Sequence, residues 1–268
     1  TLNIIVDMYK IFITAIALLF SSIASVSAYA DVFDGGISPD EPFSLQMQLC
    51  NLREGVNIKQ YDSFVNDYIK WSKKNDVEVT MIRSSSLFTH RNDGSEPKYD
   101  FAEFLATDPA NLGAGWDKWL STKEGQRLGE RWQELAQCDV KLATARAIWA
   151  DVEKMNDDND RIALWNWCTR KPGVSVDQLM SRHEASASAY SDGLGNIGWF
   201  GIVPRIGGGN APGDFAHVLV FPDMAGVMEH QHFLNEGGWR GIVDYYTSYA
   251  DCAGFSAVTE TVLHRPGR

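Results

Sequence analysis

The sequence predicts an α+β fold made of two successive β-α-β-β-α-β units, and three observations carry that prediction. Asp100-Phe101-Ala102 returns as Asp214-Phe215-Ala216 and Cys138 returns as Cys252, at one common offset (214 − 100 = 252 − 138 = 114). Cys50 to Cys138 and Cys168 to Cys252 span nearly equal intervals (138 − 50 = 88; 252 − 168 = 84). Within each interval, apolar residues alternate or recur at helical spacing in the same order. Local strings agree too: CNLREGVNIKQ (50–60) lies over CTRKPGVSVDQ (168–178), and WLSTKEG (119–125) over HFLNEGG (232–238). Ordered landmarks of this kind point to an internal duplication.

Taken in order, residues 1–30 read as an address. Met8 and Lys10 open a basic segment, IFITAIALLF (11–20) begins an apolar stretch, and Ala28-Tyr29-Ala30 gives an A-x-A cleavage pattern. Initiation is expected at Met8, with removal of residues 1–30 and a periplasmic or extracellular destination. The alternative is a membrane anchor, for which the stretch is shorter than the ~20 residues a bilayer requires. No integral membrane span is expected to remain after cleavage. A segment at 31–42 leads into the first unit, 43–150.

There FSLQMQL (43–49) alternates as a strand, and 56–74 carries Ile58, Tyr61, Phe64, Val65, Tyr68 and Ile69 at helical spacing. VEVTMIR (77–83) and KYDFAEFLA (98–106) read as strands around the polar loop HRNDGSEP (90–97). A second helix is expected over 117–136 and a last strand over 140–149. EKMNDDNDR, within a linker at 151–161, is a charged connection. The second unit, 162–268, gives strands at 164–167, 196–204, 214–221 and 255–263, with helices at 176–190 and 226–250.

Composition bounds the function. With 268 residues, 44% hydrophobic and 22% charged, the chain can bury a core and is neither disordered nor a polytopic membrane protein. Lys+Arg 24 against Asp+Glu 35 gives a net charge of −11, which disfavours nucleic acid and anionic membrane surfaces as partners.

Each unit should form an antiparallel sheet covered by helices on one face, leaving the other face to be buried against its counterpart. In this element order and its repetition, over most of 43–264, the chain resembles the dimeric α/β-barrel superfamily of ferredoxin-like domains, here fused in tandem within one chain. The resemblance implies an intrachain barrel with helices outside and sheets facing each other, hence a monomer with a ligand cavity between the sheets. Proteins with this barrel include cofactor-free oxygenases, isomerases and haem enzymes, so it selects no single reaction. Four cysteines permit three connectivities. The strand order 4-1-3-2 that the resemblance implies sets first and last strands side by side, implying disulfides Cys50–Cys138 and Cys168–Cys252, the pairing that respects the repeat.

Within this frame, Gln48 and Asn166 are equivalent amides on first strands, expected to point into the barrel, where they either contact a ligand or satisfy each other or neighbouring backbone. Glu103 and His217 each lie three residues beyond the repeated Asp and form the candidate catalytic pair, a carboxylate and an imidazole acting as base and partner. The alternative is a hydrogen-bonded core role. Arg83 and Arg205 close second strands and could clamp a carboxylate, or could pair with surface acids.

Other matches fail on context. His230-Gln231-His232, with Glu229 beside it, could chelate a metal from a loop, with His217 as a further ligand, but on a helix i and i+2 side chains diverge and cannot share an ion. Gly193 to Gly198 satisfies GxGxxG but follows a helix and precedes a strand, the reverse of a dinucleotide turn. His183-Glu184 opens like HExxH but has Ala187 where the second His belongs. Gly207-Gly208-Gly209 lies in a strand connection, and most of the nine tryptophans are expected in the core. No metal and no cofactor are therefore expected. The function expected is binding or transformation of a small organic molecule between the sheets, by cofactor-independent acid/base or oxygenase-type chemistry. The alternative is a noncatalytic exported protein.

Overall fold

The computed structural model describes residues 33, 37–88, 99–190 and 194–266. The expected signal segment, the loop at 90–97 and Gly193 of the GxGxxG match lie outside these residues. The first half comprises β1 (Phe43–Leu52), α1 (Ile58–Lys74), β2 (Thr80–Phe88), β3 (Phe101–Thr107), α2 (Pro109–Ser121), α3 (Lys123–Leu135) and β4 (Ala136–Ala150). A short α4 (Val152–Asp157) follows. The second half comprises β5 (Asp160–Arg170), α5 (Val176–Tyr190), β6 (Gly198–Pro204), β7 (Phe215–Phe221), α6 (Met224–Phe233), α7 (Trp239–Ser248), β8 (Ala250–Cys252) and β9 (Ser256–His264).

Local chemistry sets the helix boundaries. Asn57 and Gln60 form a reciprocal capping box at α1. Asp108 caps α2 ahead of Pro109, whose missing N–H is harmless in the first turn. The helix expected over 117–136 is two helices, because Thr122 takes extended angles and its hydroxyl accepts from Gly125 N–H. Gly125 is needed there: a Cβ would stand 2.4 Å from the Trp119 carbonyl oxygen. The helix expected over 226–250 is likewise broken, by a wide turn at 234–238 in which Gly237 has φ 117°.

The first half orders its strands β4-β1-β3-β2, and the second β6-β7-β5-β9, with β8 extending beside the end of β5. The two sheets do more than face each other. β2 pairs with β9 and β4 with β6, so eight antiparallel strands close into one barrel. Cys50 lies directly opposite Cys138, and Cys168 opposite Cys252; each pair is a disulfide with Cα atoms 4.0 Å apart.

The barrel interior is apolar. Leu45 and Met47 from β1, Ala102, Phe104 and Ala106 from β3, and Ala163 and Trp165 from β5 turn inward, joined by Val218 and Val220 from β7. Phe104 and Trp165 stack across it at 5.4 Å. The alternate rows of the same strands face the helices. Gln48 and Asn166, expected inside the barrel, are therefore on its outer side, as are Glu103 and His217. The physical reason is that an interior lined by apolar rows offers an amide no partner, whereas the helix layer does.

Candidate functional site

Beneath the helices of the first half, Gln48 stands opposite Glu103, which in turn stands opposite Arg83. Glu103 is fully buried and accepts from Tyr61 Oη at 2.9 Å and from Arg83 Nε and Nη2 at 3.1 and 2.8 Å. The remaining arm of Arg83 meets Asp62 at 2.5 Å, so the guanidinium is spent on internal carboxylates. Burial raises the proton affinity of Glu103, and Arg83 and Tyr61 pull it back. Trp132 Nε1 donates to Tyr61 Oη and completes the cluster.

Beneath the helices of the second half, Asn166 stands opposite His217. The Asn166 amide is filled: Nδ2 donates to Tyr246 Oη at 2.8 Å, and Oδ1 accepts from Gly254 N–H at 2.9 Å. Trp199 Nε1, which can only donate, reaches His217 Nδ1 at 3.0 Å. That fixes His217 as the tautomer whose Nε2–H donates to Tyr245 Oη at 3.0 Å. The same hydroxyl meets His183 Nε2 at 2.8 Å. Burial keeps the whole group neutral. His217 is pushed well below the ordinary histidine value, His183 falls to about 4, and both tyrosines are raised.

A cavity of about 100 Å³ opens beside this group, between the sheet and α5 to α7. That is well beyond the roughly 10–15 Å³ one water needs. Trp149, Trp199, Ile242 and Phe255 supply apolar walls, and Tyr245, Tyr246, His217 and His230 the polar ones. His230 on α6 is 8% exposed, and neither ring nitrogen has a hydrogen-bond partner among the described residues. Burial lowers its proton affinity as well, so it stands there as a neutral imidazole with one donor and one acceptor unspent.

The barrel interior holds a cavity of similar size, walled by Phe33, Phe43, Phe104 and Phe200 and closed at one side by Arg161, Glu260 and Arg265. Arg161 Nε donates to Glu260 at 3.2 Å. Arg265 donates to Asn159 and to the Met155 and Asp158 carbonyls. None of the sequence-predicted site residues lines it.

The candidate pair is thus separated. Glu103 and His217 occupy equivalent register positions but sit under different helix layers, in clusters with no shared partner. Arg83 serves Glu103, and Arg205, exposed, donates to Thr144 Oγ1 at 3.1 Å. Sequence reasoning missed Tyr245 and Tyr246, and considered His183 and His230 only as metal ligands. Among the described residues no group of three or more His, Cys, Asp or Glu side chains is placed to hold a metal ion.

No helix among the described residues is long and apolar enough to cross a membrane. No protein-family model matches the chain, and no curated protein matches it. Solved structures do. A chain from Fusobacterium nucleatum, provisionally assigned as a monooxygenase, aligns with TM-score 0.50 at 10% identity, covering 84% of this chain and 94% of its own. One from Lactobacillus acidophilus with the same provisional assignment gives 0.50 at 12%, covering 83% and 94%. A provisionally assigned chlorite dismutase gives 0.50 at 10%, covering 83% and 95%. At such identities the likeness is one of fold: this chain has the fold of the dimeric α/β-barrel superfamily.

Proposed function

We propose that the protein binds and transforms a small, uncharged aromatic molecule bearing a phenolic or enolic hydroxyl, in the helix-side cavity of the second half. The observation that carries this reading is His230, a buried imidazole with neither nitrogen paired among the described residues, lining a cavity it shares with two tyrosine hydroxyls. Buried polar atoms are nearly always satisfied, and an exception beside a cavity marks the place where a ligand completes the set.

The chemistry is acid/base. The unprotonated nitrogen of His230 takes the proton from the ligand hydroxyl, leaving the electron pair on the ligand oxygen. Tyr246, whose oxygen already accepts from Asn166, has its own O–H free to donate to that oxygen. His217, held by Trp199 and Tyr245, positions Tyr245 beside the same space. Because burial weakens His230 as a base, the imidazolium it forms returns the proton readily. With dioxygen as co-reactant the same site would suit oxygenase-type chemistry, the class named for two of the fold neighbours.

We also propose that the protein is an exported monomer whose halves descend from one duplicated unit. The two disulfides suit an oxidising compartment, and the matching pairings Gln48–Glu103 and Asn166–His217 suit a common origin.

The test is calorimetric titration with p-cresol and with toluene, which has the same outline without the hydroxyl. p-Cresol is expected to bind about tenfold more tightly than toluene, and His230→Phe to abolish that preference. Equal binding of the two, or a preference unaffected by His230→Phe, overturns the reading. Mass spectrometry of small molecules retained by protein from its native source would identify the substrate.

A further inference from the structure

The first half encloses a cavity of its own, about 60 Å³, between the outer face of β1 and β3 and helices α1 to α3. Its walls are unusually aromatic. Trp71 and Trp119 meet edge to face at 5.3 Å, and Tyr68 lies 5.9 Å from each. Its floor is formed by Gln46, Gln48 and Glu103.

Several polar atoms here have partners within the chain. Trp116 Nε1 donates to Gln46 Oε1 at 2.7 Å, and Trp132 Nε1 to Tyr61 Oη at 3.2 Å. Glu103 and Asp62 are both spent on Arg83. The exception is Trp71 Nε1, a buried donor with no partner among the described residues, on a side chain only 3% exposed. A buried indole N–H normally finds an acceptor.

We infer that this cavity is a second binding site, for an uncharged planar molecule whose carbonyl oxygen or ring nitrogen accepts from Trp71 Nε1. Charge excludes the other classes. Arg83 is spent on internal carboxylates and cannot hold an anion, and the carboxylates it pairs with cannot receive a cation. Aromatic walls on several sides select a flat ring. The site differs in kind from that of the second half, where imidazole and phenol groups are offered to a hydroxyl, and it stands whether or not that reading holds.

The experiment follows the indole N–H resonances of the full chain by two-dimensional NMR during titration with 2-pyridone, and separately with toluene. The Trp71 resonance, assigned by its loss in Trp71→Phe, is expected to move downfield with 2-pyridone. Trp71→Phe should weaken 2-pyridone binding roughly five- to tenfold while leaving toluene binding unchanged. Leu112→Phe, which fills the cavity, should abolish binding of both at this site, and His230→Phe should alter neither. A Trp71 resonance unmoved at millimolar 2-pyridone, or affinity for 2-pyridone that survives both first-half variants, overturns the inference.

Discussion

Glu103 shows how much a single buried group can demand. Its carboxylate is wholly enclosed and holds two arms of Arg83, so Glu103→Ala would leave the guanidinium with Asp62 as its one acidic partner among the described residues. A loss of about 1–3 kcal/mol in unfolding free energy is expected, measurable by urea denaturation. His183 sets a pH dependence of definite sign. Its value falls from the ordinary 6.5 to about 4 on folding, so between those values the unfolded chain binds the additional proton. Its contribution is complete above pH 6.5 and disappears as pH falls toward 4, some ~3 kcal/mol in all. Glu103 and Glu260, raised by burial, act in the opposite sense above the ordinary carboxylate range. The check is therefore the difference between wild type and His183→Gln, whose stability should fall less between pH 7 and pH 4.5. At this scale the sequence was half legible. Alternation separated Gln46 and Gln48 from Leu45 and Met47, but it cannot say which row faces inward; partners supplied by distant elements, Trp116 and Tyr246, decide that. The unpaired nitrogens of His230 and Trp71 are invisible in sequence for the same reason, since they depend on what fails to come near.

Among elements, α7 matters most to the candidate site, because it carries Tyr245 and Tyr246 and is bounded by two constraints. At its start Gly237 occupies φ 117°, where a Cβ would also crowd the Arg240 guanidinium. Just past its end the Cys168–Cys252 disulfide ties β8 to β5. Gly237→Ala is expected to lower stability by about 1–2 kcal/mol and to shift p-cresol affinity, since the tyrosines ride on the helix it introduces. Replacing both Cys168 and Cys252 by Ser should cost about 4 kcal/mol in the chain-entropy view, read as a lower thermal midpoint. Most strands and α1 were legible from period alone. The two broken helices were not: Thr122 and Gly237 interrupt patterns whose apolar spacing runs on, and the breaks arise from the Trp119 carbonyl and from the wide turn at 234–238.

For the whole molecule, barrel closure follows from edges. Two four-stranded sheets side by side leave four open edges; the β2–β9 and β4–β6 pairings remove them and enclose an interior lined mainly by apolar side chains. The order of elements along each half was readable from the landmarks, whereas the strand order, and with it the disulfide partners, came from the resemblance to the dimeric α/β-barrel superfamily. The location of chemistry was not readable, because a closed barrel suggests its own centre as the binding site, whereas the unsatisfied polar groups lie outside it, under the helices. The most direct measurement is a crystal structure of the protein grown with p-cresol. Density for the ring is expected between the second-half sheet and α6 and α7, with its oxygen within hydrogen-bond reach of His230 and Tyr246. Density confined to the barrel interior, or a helix-side cavity left empty at a saturating concentration, would contradict it.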